Sequence, residues 1–160
     1  MNPLFVLVIQ CTFSIVVFFL LGKWYLEPKM GIYSKYKILQ ILFLINVFRY
    51  LPLSLYMPGQ VAENFPEKVK EIVAHGDFLA AIVALITLLL IKNKSRFTTL
   101  FINVFCIISC VDMVLALVFA MYAKVYLLPL GVNYFTIALY VPLLIIAQYY
   151  IFKILTLKNK

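Results

Sequence analysis

Charge is scarce in this 160-residue chain: 12% of its residues are Asp, Glu, Lys or Arg, while 66% are hydrophobic. A soluble domain carries about twice that charged fraction. With so little polar surface the chain cannot hide its apolar residues from water, so lipid is the solvent its composition suits. There is one histidine, His75, and one tryptophan, Trp24. A single histidine excludes a His-rich metal centre, which needs several His, Cys or carboxylate ligands in compatible geometry, and it cannot serve as the base for a set of serines. No G-x-S-x-G and no Gly-rich phosphate loop occurs. Cysteine is limited to Cys11, Cys106 and Cys110, all in apolar runs and without a C-x-x-C. An odd number in such surroundings excludes a disulfide framework, and buried thiols behave as small hydrophobes. No metal or cofactor is expected.

Basic residues are also missing where a secretory signal would need them, because no Lys or Arg precedes Lys23. The first apolar segment is therefore read as a retained helix rather than a cleaved leader. The net charge of +8 is spread over short loops and does not form a stripe interleaved with aromatics. Nucleic acid is thus not an expected partner.

What the chain has in quantity is long apolar runs. A helix needs about 20 such residues to cross the hydrocarbon core, and five stretches qualify: about 3–22, 38–57, 72–91, 98–122 and 134–155. Strands cannot cross singly, because every backbone polar group must be satisfied within the segment. The fold class expected is all-α, a polytopic membrane protein forming one domain over 1–160 as a bundle of five transmembrane helices. Lys23, Lys29, Lys35, Lys37, Lys92, Lys94, Arg96, Lys153, Lys158 and Lys160 fall on one side of this topology, with Lys68, Lys70 and Lys124 on the other. That bias places the N-terminus outside and the C-terminus in the cytoplasm. Pro58-Gly59 marks a turn in the longest outer loop, and no internal repeat is present.

Charged groups at membrane depth are rare and pair with one another. Three occur here: Arg49, Asp77 and Asp112. At a helical rise of about 1.5 Å per residue, Arg49 and Asp112 lie at matching depths of roughly 13 and 15 Å, and Asp77 at roughly 7 Å. An Arg49–Asp112 pair is expected, with Asp77 one or two turns above it and His75 near the mouth. Asn46, Arg49 and Tyr56 share a face of the second helix. Ala80, Ala81 and Ala84 share a face with Asp77, and Ser109, Ala116 and Ala120 with Asp112; such small-residue stripes mark close packing in membranes. Pro52, one turn beyond Arg49, is expected to kink its helix and open a cavity beside the charge. Asn46, Asn103, Gln148 and Gln10 are read first as interhelical hydrogen bonders.

The residues so gathered (Arg49, Asp77, Asp112, His75, Tyr56, Asn46 and Asn103) are the candidates for ligand binding or proton coupling. Three functions fit them. The leading one is binding or moving a small or lipid-like ligand at an outward-facing polar cluster. The second is acid–base catalysis on a lipid or isoprenoid, with Asp77 or Asp112 as acid or base. The third is a structural or accessory subunit in which the cluster only holds helices together, with a second copy or a membrane partner beside it. Membrane lipids are partners under all three.

Four stretches carry a resemblance: FRYLPLSLYMPG (48–59), AHGDFLAAIVALITLLL (74–90), FINVFCIISCVDMVLA (101–116) and YVPLLIIAQYYIF (140–152). Together they resemble a group of uncharacterised bacterial membrane proteins of similar length with five predicted spans. On that resemblance Arg49, Gly76-Asp77, Asn103 and Asp112 are recurring positions, and the location implied is a bacterial inner membrane. The group has no activity to carry over. With Trp24 alone, the chain is unlike the tryptophan-rich five-helix sensory proteins of similar size.

Overall fold

The computed structural model describes residues 2–156. Lys158 and Lys160, two of the basic residues in the topology argument, lie outside them. Among the described residues, five helices are long and apolar enough to cross a membrane: α1 (Pro3–Met30), α2 (Lys35–Tyr56), α3 (Glu67–Lys92), α4 (Thr98–Tyr122) and α5 (Asn133–Thr156). The fold is all-α, with no strand among the described residues.

Three of these helices change pitch, and proline accounts for the changes. In α1 a π turn over Gly22–Leu26 precedes Pro28, and in α5 one over Thr136–Tyr140 precedes Pro142. A proline ring clashes with the carbonyl four residues earlier and leaves it without a donor; the wider turn makes room for the ring. For Pro142 that carbonyl belongs to Ala138, and the Ser14 hydroxyl on α1 donates to it at 2.7 Å. A proline on one helix thus explains a buried serine on another. The π turn also carries α1 eight residues past its expected end at Gly22.

Around Pro52, α2 tightens into a 3-10 helix over Phe48–Tyr56. Where the tightening begins, the Tyr140 hydroxyl donates to the Ile45 carbonyl at 2.8 Å. With three residues per turn, Arg49, Pro52 and Leu55 stack on one buried face.

The helices follow one another around an arc in the order α1, α5, α2, α3, α4. The main core joins α2, α3, α4 and α5 through residues such as Leu39, Phe43, Ala84, Phe105, Tyr150 and Ile151. Ala80, Ala81 and Ala84 are buried, as their stripe predicts. The arc does not close: α4 makes no substantial contact with α5.

A second apolar cluster (Leu55, Phe65, Val69, Val125 and Leu130) closes one end of this gap. It joins Leu55 of α2 and Val69 of α3 to the α2–α3 and α4–α5 loops, which are held together by the Ala62 N–H donating to the Pro129 carbonyl at 3.2 Å. Pro58-Gly59 makes the expected turn: the Gln60 N–H returns to the Met57 carbonyl, and Gly59 takes the positive φ of 77° that a type II turn requires.

Candidate functional site

The unclosed gap between α4 and α5 contains a cavity of about 340 Å³, a size typical of small-molecule sites. Its walls come from the 3-10 part of α2, from α3, and from the facing sides of α4 and α5. The lining is mostly aliphatic, including Val73, Ala116, Leu117, Ala120, Ile137 and Leu144, with Arg49, Asp77 and Asp112 at one place in it. Ala116 and Ala120 both line the cavity, and Ala120 also packs against the second apolar cluster, which includes Leu55 of α2 and Val69 of α3. The small side chains of the two alanines leave the space that is the cavity.

The charged cluster is built on a single guanidinium. Arg49 Nε donates to Asp77 Oδ1 at 2.8 Å, Nη2 to Asp112 Oδ2 at 2.5 Å, and Nη1 to Ser109 Oγ at 2.5 Å. Asp77 therefore does not stand one or two turns above the pair; it is a direct partner of Arg49. The depth estimate failed because α3 starts at Glu67, five residues before the expected start. Asp77 lies ten residues after Glu67 and Asp112 ten residues before Tyr122, so both sit about 15 Å from the same end of the bundle. Arg49 is seven residues before Tyr56 in the 3-10 segment, or about 14 Å at its longer rise of about 2.0 Å per residue.

Close approach of the helices is set by Gly76. A β-carbon there would collide with the Asp112 carboxylate, so glycine lets α3 bring Asp77 and Asp112 to one cation. The Arg49 side chain is 1% exposed, against 8% for Asp112 and 13% for Asp77. All three line the cavity, with the guanidinium the most enclosed of them and the two acids the more open. One cation faces two carboxylates, so the cluster carries a formal charge of −1 when both are ionised. In an apolar wall that excess must be met by a proton or by a cationic group.

The remaining candidates are placed elsewhere. Tyr56 is 41% exposed. It would share the Arg49 face at i+7 in an α-helix, but the 3-10 repeat gives that face to Leu55 at i+6. His75 is exposed; its ring packs 5.7 Å from that of Tyr56, and its Nδ1 lies 2.9 Å from the Glu71 carbonyl. Neither lines the cavity, and the expected mouth beside them is covered by the loop cluster. Val114 and Leu117 on α4 and Ile145 on α5 line the cavity while remaining exposed, so it opens sideways between these two helices. Asn46 is buried one turn from Arg49 and donates to its own helix at the Leu42 carbonyl, 2.8 Å away. Asn103 is exposed on α4. Gln10 accepts from the Tyr134 hydroxyl, an α1–α5 contact of the expected kind.

Three polar cavity residues carry no signal in the sequence analysis: Asn133, Thr136 and Tyr140. Asn133 opens α5 and accepts from the Ser54 hydroxyl at 2.7 Å. No periodic signal marks it, since it follows a loop. No group of three or more His, Cys, Asp or Glu suited to a metal ion occurs among the described residues.

Fold and site together define the class: an all-α bundle of five helices of membrane-crossing length, with an ion cluster buried beside a side-opening apolar cavity. Residues 6–156 match the domain of unknown function DUF8737, and the chain belongs to that family. The match takes in the whole of α2 to α5 and nearly all of α1. No curated protein and no solved structure matches the chain.

Proposed function

We propose that this protein is a small integral membrane protein that binds a small or lipid-like ligand in the cavity between α4 and α5, with the ligand's polar end at Asp77 and Asp112 and its apolar part along the aliphatic wall. The observation that carries this reading is the position of an unbalanced ion cluster in the wall of a 340 Å³ apolar cavity. A cluster that served only to join helices has no need of a second acid, nor of small residues that leave a void beside it.

The excess of basic residues around the α1–α2 and α3–α4 loops puts those loops, with the C-terminus, in the cytoplasm and the N-terminus outside. The loop-covered end of the cavity then faces outward, and a ligand reaches the site from within the bilayer. The resemblance noted above supports a bacterial inner membrane as its location.

Native mass spectrometry of the protein extracted gently from membranes tests this, with wild type beside Asp112→Asn. The expected result is a discrete bound molecule on the wild type that is lost or much depleted in the variant while the fold persists. Bare protein in both samples, with the variant markedly less stable, would instead assign the cluster a purely structural role. An acid–base enzyme acting on a lipid would show the same retained molecule, converted to product by wild type and left unconverted by Asp112→Asn.

A further inference from the structure

We infer that the ligand of this cavity is a single-chain amphiphile carrying a protonated amine, with an oxygen acceptor in its head that the Asn133 amide recognises; this rests on the binding role proposed above. The charge of the head follows from the order of groups. Arg49 is less exposed than Asp77 and Asp112, and its three kinds of nitrogen already donate. A carboxylate or phosphate in the cavity would therefore meet the acids before the guanidinium. An ammonium would meet two carboxylates that share one cation, and would bring the cluster to neutrality.

The acceptor follows from Asn133, which borders the cavity and is 4% exposed. Its Oδ1 is taken by Ser54, while its Nδ2 is buried with no partner among the described residues. Leaving such a donor unmet is unfavourable, and a ligand oxygen at the cavity edge would satisfy it.

The chain then runs along the aliphatic wall toward the side opening at Val114 and Ile145.

Three single-chain probes of matched length test this on the full chain in detergent, by ligand-dependent thermal shift: 3-(dodecyloxy)propylamine, hexadecylamine and hexadecanoate. The ether amine is expected to bind most tightly, hexadecylamine about tenfold more weakly for want of one hydrogen bond, and hexadecanoate more weakly again. The double variant Ser54→Ala/Asn133→Leu removes both partners of the Ser54–Asn133 bond, so no new polar group is stranded. In it the ether amine should fall to the affinity of hexadecylamine, which itself should not change. Hexadecanoate binding as tightly as either amine would overturn the inference and leave the cavity a lipid site. An ether-amine advantage that survived the double variant would overturn the role of Asn133. No response to any of the three would overturn the binding reading and this inference together.

Discussion

Among the described residues there are two long-range ion clusters, one set into the middle of the bundle and one at an end, and their differences separate binding from bracing. At the end, Lys153 on α5 reaches Glu27 on the extension of α1 at 2.5 Å, and the Tyr150 hydroxyl donates to the same carboxylate oxygen at 3.3 Å. One cation meets one anion, and both side chains are about one-third exposed, at 32% and 31%. Solvent screens this pair, and nothing is left over once it has formed. In the middle, Arg49 is enclosed and holds two carboxyl groups, so a second acid remains to be met by a proton or a cationic group where solvent barely reaches. Both clusters tie helices together, but only the second has an unmet requirement and a cavity beside it.

Removing the cation from the central cluster should have the largest effect. Arg49→Met strands two carboxylates on facing helices, and loss of one partner from a buried pair costs about 3–5 kcal/mol. Thermal unfolding in detergent should show the loss, and replacing Asp77 and Asp112 by Leu in the same chain should recover much of it. A loss of less than about 1 kcal/mol would place the cluster in the same energetic class as the exposed pair. Gly76→Ala comes next. Its new methyl must displace the Asp112 carboxylate or part α3 from α4, an overpacking cost of about 1–3 kcal/mol, and bound ligand should be lost along with stability. Lys153→Met should have the smallest effect, near the limit of detection in the same assay and shrinking further as salt is raised. A large, salt-insensitive loss there would abolish the contrast between the two clusters.

The sequence discloses the central cluster far better than the terminal one, because the two depend on different information. The five helices are evident from apolar run length, and the pairing of Arg49 with Asp112 from helical rise alone, since the nearest helix ends lie on the same side. Asp77 was placed too high because Glu67, Lys68, Lys70 and Glu71 look like loop but form the first turns of α3. Tyr56 was assigned to the Arg49 face by a 3.6-residue repeat that Pro52 replaces with a 3.0-residue one. The Glu27–Lys153 pair requires α1 to continue past Gly22, and the π turn that permits this has no periodic trace in the sequence. Asn133 is harder still: its interest comes from one unpartnered nitrogen, which depends on where Ser54 stands after α2 has tightened. Local pattern thus gives the elements and their depth, whereas pitch changes at proline decide which side chains meet.

The most direct test leaves every polar group in place and fills the cavity. Ala116→Leu/Ala120→Leu adds bulk on the α4 wall without touching Arg49, Asp77, Asp112 or Asn133. If the space beside the cluster is a binding site, native mass spectrometry should find the bound molecule gone, while thermal stability in detergent stays at or above that of the ligand-free wild type. A variant that retains the bound molecule at wild-type occupancy would contradict the account.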